Sequence, residues 1–209
     1  MCIENNKKLI ALTFDDGPSN VTNQVLDKLE KYSVTASFFL IGQNISPEKK
    51  PLLQRQIQLG CEICNHSWSH PAMSNMTKED IIDEFQKTNE VIHSEAGVYP
   101  KFFRPPYIAL SDVMYEAIDL PFICGVGCND WEDSVSSAQR AETILNSASD
   151  GTIILMHDAE DNIKTVEALD TIIPELKERG FCFVTVSQLF QQKSVNPSVK
   201  YKIWTNIKD

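Results

Sequence analysis

The chain has 209 residues, 42% of them hydrophobic, enough to bury one core as a single domain, and no shift in composition marks a linker. A net charge of -10, with 19 Lys and Arg that form no visible cluster, argues against a nucleic-acid partner and fits a neutral or cationic ligand better. Apolar runs such as 38–41 and 152–156 are far too short to span a membrane.

The start, Met1 to Lys8, lacks the apolar core of a signal peptide. The chain as given therefore reads as soluble, with extracellular or cell-wall work expected if a leader was removed and cytoplasmic work if Met1 is the native start. Beyond it, short apolar runs alternate with helical periods, the pattern of β/α units. The first strand, 9–14, runs from Leu9-Ile10-Ala11-Leu12 into Thr13-Phe14-Asp15-Asp16-Gly17-Pro18. Two adjacent carboxylates leaving a buried strand repel each other and resist desolvation, so a positive group is expected beside them, and a divalent metal would serve. Turn and helix-start chemistry would explain one aspartate but not the second.

A helix follows, with Ser19 or Asn20 as N-cap and Val21, Val25, Leu26 and Leu29 on one stripe. Strand 36–41 leads to a helix carrying Leu52, Leu53 and Ile57 that stops at Gly60. Strand 61–64 precedes His66-Ser67-Trp68-Ser69-His70. Two imidazoles four residues apart would project to one side of a helical turn, and with one carboxylate they would complete a three-ligand metal site. The zinc-protease pattern His-Glu-x-x-His has its base where this chain has Ser67, so a base must come from elsewhere. The six cysteines, Cys2, Cys61, Cys64, Cys124, Cys128 and Cys182, are too sparse for a disulfide scaffold. Cys61 and Cys64 have no second pair at ligand spacing and read as buried or incidental thiols.

Thr77 caps the next helix, with Glu79 and Asp80 in its first turn, Ile81, Phe85 and Ile92 facing the core, and Gly97 closing it. His93, near its end, is assigned no function. Strand 101–103 enters Arg104-Pro105-Pro106-Tyr107, a stiff stretch whose arginine either holds a carboxylate or forms a surface ion pair. Weaker helices are expected at 111–118, 136–147 and 163–179, with Pro174 bending or dividing the last. Strand 122–126 leads to Asp130-Trp131, and strand 152–156 to His157-Asp158. A histidine leaving an apolar strand suits a general acid; Asp158 is open to a simple turn role. A seventh strand at 182–186 is followed by an aperiodic tail, 191–209, expected over the surface with Trp204 as its anchor.

Periodicity leaves two architectures open, an open doubly wound sheet and an incomplete barrel. Both place functional groups at the carboxyl ends of strands, and five clusters of catalytic-type residues fall at that predicted end.

Taken together, Thr13-Phe14-Asp15-Asp16-Gly17-Pro18, His66-x-x-x-His70, Arg104-Pro105-Pro106-Tyr107, Asp130-Trp131 and Leu155-Met156-His157-Asp158 resemble the five ordered motifs of the polysaccharide deacetylases, carbohydrate esterase family 4. The resemblance covers about residues 8–190 and leaves the tail outside. It implies an α/β fold, a distorted (β/α)7 barrel in a single catalytic domain over 1–190. It also implies one divalent metal on Asp16, His66 and His70, with zinc the default and cobalt or nickel suited to the same ligands. Asp15 matches the general base, His157 the general acid, Arg104 the residue orienting the base, and Asp130 the partner of the acid. The Tyr107 N–H matches the oxyanion donor, and Trp131 and Leu155 the walls of the acetyl pocket. The expected partner is an acetylated polysaccharide, an N-acetylglucosamine polymer or acetylated xylan, acted on by a monomer. Two departures from the family pattern are Gly127, where an additional Asp is frequent, and Cys61 and Cys64 within Gly60-Cys61-Glu62-Ile63-Cys64-Asn65-His66. An inactive carbohydrate-binding barrel and a related hydrolase of small cyclic amides are the alternatives, and the intact acid, base and metal set counts against both.

Overall fold

The computed structural model describes residues 8–207, so the N-terminal stretch read for a leader, Cys2 and the last two residues lie outside the described residues. The elements run β1 (Lys8–Asp15), α1 (Thr22–Tyr32), β2 (Ser37–Leu40), α2 (Lys50–Gln58), β3 (Glu62–Asn65), α3 (Lys78–Ala96), α4 (Asp112–Ala117), β4 (Phe122–Ile123), α5 (Ser137–Ser147), β5 (Thr152–His157), α6 (Ile163–Glu178), β6 (Phe181–Val184), α7 (Val186–Gln192) and β7 (Ile203–Trp204).

β1 is the hub. It pairs in parallel with β5 along one edge, and with β6 and then β2 along the other, while β3 extends the sheet beyond β2. Isolated bridges carry the ring onward from Asn65 to Phe103 to Phe122, and Val126 returns it to Ile154 of β5. The result is an irregular barrel, as the family resemblance implies. Alternation along β1 divides its side chains. Ile10, Leu12 and Phe14 pack outward with Val25, Leu26 and Leu29 of α1 and Leu169 and Ile173 of α6. Leu9 and Ala11 instead join Phe39, Cys64 and Ile153 in the second cluster, on the inner face. Thr13 and Asp15 continue that inner column. Register then sets the site, because Asp15 lies opposite His157 on β5 and Phe39 on β2, and Leu40 lies opposite Asn65, one residue before His66.

Several local expectations change. Among residues 101–103 only Phe103 pairs, and β4 ends at Ile123 because Gly125 takes φ 155°, leaving Val126 to bridge alone. The last expected strand shifts to Phe181–Val184, since Thr185 accepts from Gln188 N and starts the unforeseen α7. α1 begins after Val21, so Ser19 is no cap and instead donates to the Asp158 carbonyl. Thr77 and Ser136 do cap α3 and α5. Pro174 does not divide α6; the carbonyl its ring frees is that of Asp170, on the exposed face where water can take it. The tail is exposed along 198–202 but not along 203–207, for Ile203 and Trp204 add a strand beside β4 and Ile207 is fully buried. No helix among the described residues is long and apolar enough to cross a membrane.

Candidate active site

β1 delivers Asp15 and Asp16 into different environments. Asp15 is 2% exposed, and its Oδ1 accepts from Arg104 Nη1 at 2.5 Å. Arg104 is fully buried rather than a surface ion pair: its guanidinium lies 4.0 Å from the Phe39 ring centroid and also donates to Thr13 Oγ1 at 2.9 Å and to the Cys124 carbonyl. Asp16 takes φ 73°, which turns its side chain out of the strand's alternation. Its Oδ1 then sits 3.5 Å from His66 Nε2 and 3.4 Å from His70 Nε2.

The segment from His66 to His70 is not a helical turn, contrary to the spacing argument. Ser67 and His70 both adopt left-handed φ, 66° and 59°, and this fold of the loop brings the second ring back to the first, with centroids 4.9 Å apart. Three residues hold it: Glu84 of α3 accepts from Trp68 N and Ser69 N, Asn65 Oδ1 accepts from Ser67 N, and Gly42 N donates to Ser67 O. A Cβ on Gly42 would stand 2.5 Å from Trp68, so the glycine is required for that approach. Glu84, Asn65 and Gly42 were not singled out from sequence, although Asn65 directly precedes His66.

His66 Nδ1 lies 2.7 Å from the Arg104 carbonyl, which can only accept, so Nδ1 carries the proton and Nε2 presents its lone pair. Burial, and repulsion from His66 whenever that ring is also protonated, push the His70 imidazolium below its ordinary range and favour the neutral, ligating ring. Burial raises the Asp16 carboxyl, but the contact with His66 and the positive charge that His66, His157 and His70 carry when protonated outweigh it and leave a pKa of about 2. Asp16 Oδ1 is buried with no hydrogen-bond partner, and one ligand atom each from Asp16, His66 and His70 lie within 4.8 Å of one another. An unsatisfied buried carboxylate oxygen facing two imidazole nitrogens is the donor set of a divalent cation, so these residues fit the expected metal.

Across the site, His157 Nδ1 meets Asp130 Oδ1 at 2.8 Å, and Asp130 Oδ2 accepts from His157 N at 2.7 Å and from Thr165 Oγ1 at 2.8 Å. Burial lowers the His157 pKa, but the hydrogen bond and charge of Asp130, with Asp15 and Asp16 further off, raise it to about 9. Asp158 is not a simple turn residue: it is fully buried, accepts from Thr22 Oγ1, and burial raises its pKa to about 7.

A cavity of about 600 Å³ opens over these groups. Asp15, Asp16, His66, His70, Tyr107, Trp131, Leu155 and His157 line it, while Arg104 and Asp130 lie behind, touching Asp15 and His157. Tyr107 is left-handed, φ 58°, and its ring lies 4.6 Å from that of His70; its N–H takes no part in the turn's bonds, which Ile108 N and Ala109 N make. The Trp131 ring meets His157 edge-on at 5.6 Å. Cys124, Gly125 and Asn129 also line the cavity and were not expected there. Cys61 and Cys64 are free, buried and far above ordinary thiol pKa through burial, as incidental thiols should be.

The family model described as polysaccharide deacetylase matches residues 3–121. The chain belongs to the polysaccharide deacetylase family. Within it, the chain is 55% identical over 203 residues to a bifunctional xylanase/deacetylase of Pseudobutyrivibrio xylanivorans, covering 97% of this chain and 34% of that protein. It is 36% identical over 188 residues to a peptidoglycan-N-acetylglucosamine deacetylase of Listeria monocytogenes, covering 89% and 40%. The chain thus spans well under half the length of these two curated deacetylases. Its fold superimposes on a family 4 acetyl xylan esterase from Clostridium thermocellum, solved with a cobalt ion, at TM-score 0.92 and 46% identity over 96% of this chain and 99% of that one. Asp130, Trp131, Leu155 and His157 lie beyond the segment that the family model matches, and the barrel alone unites them with Asp16, His66 and His70.

Proposed function

We propose that this deacetylase is a metal-dependent hydrolase that removes acetyl groups from a polysaccharide, with O-acetylated xylan the favoured substrate. The observation that carries the chemistry is the meeting, in one cavity, of a ligand set on Asp16, a base candidate at Asp15 and an acid candidate at His157. The names of two relatives support the substrate, the bifunctional xylanase/deacetylase at 55% identity and the acetyl xylan esterase at 46%, against 36% for the Listeria peptidoglycan enzyme.

Asp16, His66 and His70 would hold the cation, zinc by availability; when bound it supplies Lewis acidity toward the acetyl carbonyl and makes water more acidic. Asp15, fixed by Arg104, accepts the proton of the attacking water. The Tyr107 N–H donates to the acetyl oxygen as negative charge builds there, and Trp131 and Leu155 enclose the methyl group. His157, protonated through its pairing with Asp130, delivers a proton to the departing sugar oxygen, or to nitrogen in an N-acetyl substrate.

The test is acetate release from acetylated xylo-oligosaccharides and from N-acetylglucosamine oligomers, before and after chelation and with zinc, cobalt or nickel restored. Release that chelation abolishes and a cation restores is expected, faster on xylan. Full activity after exhaustive chelation would overturn the metal role, and no release from either glycan would overturn the hydrolase reading.

A further inference from the structure

Arg140 of α5 lies outside the cavity and outside every sequence motif, yet it is 1% exposed, a costly position for a charge. Its partners are neutral. Nε donates to the Val135 carbonyl at 3.0 Å and Nη2 to the Glu132 carbonyl at 3.2 Å, in the loop that follows Trp131. Nη1 donates to Asn162 Oδ1 at 2.5 Å and to Thr165 Oγ1 at 3.0 Å.

Those last two residues are the ones that grip the acid pair. Thr165 Oγ1 lies 2.8 Å from Asp130 Oδ2, and Asn162 Nδ2 donates to the His157 carbonyl at 3.0 Å. A guanidinium has donors only. The Thr165 hydroxyl must therefore accept from Arg140, which leaves its single proton to point at Asp130. Likewise the Asn162 amide oxygen is committed to Arg140, and its NH2 group is turned toward His157. Reversing either group would leave a buried donor facing a donor.

From this we infer that Arg140 is a positioning residue for the general acid, fixing through Thr165 and Asn162 the hydrogen-bond polarity that holds Asp130 and His157 in place. The inference rests on the acid role proposed for His157. Asp130, Asp15 and Asp16, with the imidazoles of His66 and His70, are the other charged or titratable groups facing that histidine. Arg140 acts on it only through neutral intermediaries.

The experiment uses leaving groups, because a sugar alkoxide needs the acid's proton and 4-nitrophenolate does not. Thr165→Val keeps the side-chain shape and removes the hydroxyl; Arg140→Met removes the donor of both bonds; His157→Ala is the reference. The expected result is a fall in kcat on acetylated xylo-oligosaccharide of roughly tenfold to a hundredfold in both variants, with KM unchanged and with 4-nitrophenyl acetate hydrolysis much less affected. Equal losses on the two substrates in Thr165→Val, or no loss on either, would overturn the inference, and a variant that only melts earlier would show Arg140 to be merely structural. If His157→Ala itself treats the two substrates alike, the acid assignment fails, and the inference falls with it.

Discussion

Asp15 and Asp16 are neighbours in the chain and strangers in the site: Asp15 Oδ1 is held by Arg104 Nη1 at 2.5 Å, while Asp16, turned by its left-handed backbone, aims Oδ1 at the two imidazoles. One carboxylate is satisfied by a fixed cation of the protein, and the other is left for a cation from solution.

Each can therefore be removed separately. Asp15→Asn is expected to keep stoichiometric metal by elemental analysis while losing roughly 10²–10⁴ in kcat, the range for a general base. His66→Ala is expected to lose the metal itself. Equal metal loss in both variants would refute the division of labour.

The acid side predicts a pH dependence. Asp130 lifts His157 toward 9, so the alkaline limb of the kcat profile should lie above the ordinary imidazole range, activity falling as pH rises through it. A bound cation lowers the absolute value, so the difference between enzymes is the test. Asp130→Asn removes the lifting charge and should move the limb to lower pH. A limb that stays in place would detach Asp130 from the acid.

Asp158 predicts a stability effect of the opposite sense to a paired carboxylate. Its folded pKa, about 7, lies above the ordinary aspartate value of 3.8, so the folded state holds a proton that the unfolded state releases between those values. Its contribution is thus lost as pH rises from about 4 to 7. In chelator, Asp158→Asn should gain melting temperature over the parent at pH 8 relative to pH 4.5, each kcal/mol reading as about 2–4 °C. The same difference at both pH values would show that burial does not strain this carboxyl.

The tail should matter to the barrel. Trp204 is buried against Phe190, ring centroids 5.1 Å apart, and its Nε1 donates to the Pro197 carbonyl at 3.0 Å. Trp204→Ala is expected to cost roughly 3–5 kcal/mol in denaturant unfolding. A loss below about 1 kcal/mol, the scale of a surface change, would return the tail to the surface role expected from its lack of period.

How far the chain could be read before folding differs from residue to residue. The alternation of β1 is a local property that puts Asp15 on one face with Leu9, Ala11 and Thr13, but since both faces of the strand are buried only the closed sheet makes that face the inner one. The ligand chemistry of Asp16, His66 and His70 also follows from residue type, although the helical reason for pairing the histidines was wrong. Their approach depends on left-handed turns at Ser67 and His70 and on Glu84, which lies on another element. Arg104 could be read either as a clamp or as a surface charge, because its partner Asp15 is 89 residues away.

Residue chemistry and strand period determined by themselves that a βα protein would carry carboxylates, imidazoles and an arginine at its strand ends. The motif resemblance already assigned Asp15 to Arg104 and Asp16 to the histidines, but tertiary structure alone set the burial and the left-handed turn that separate the two carboxylates. It alone buried Arg140 behind Asp130 and made the anchor Trp204 part of a strand paired with β4. The physical reason is range: period and side-chain chemistry act between near neighbours, whereas desolvation and hydrogen-bond direction depend on everything packed around a group once the chain has closed.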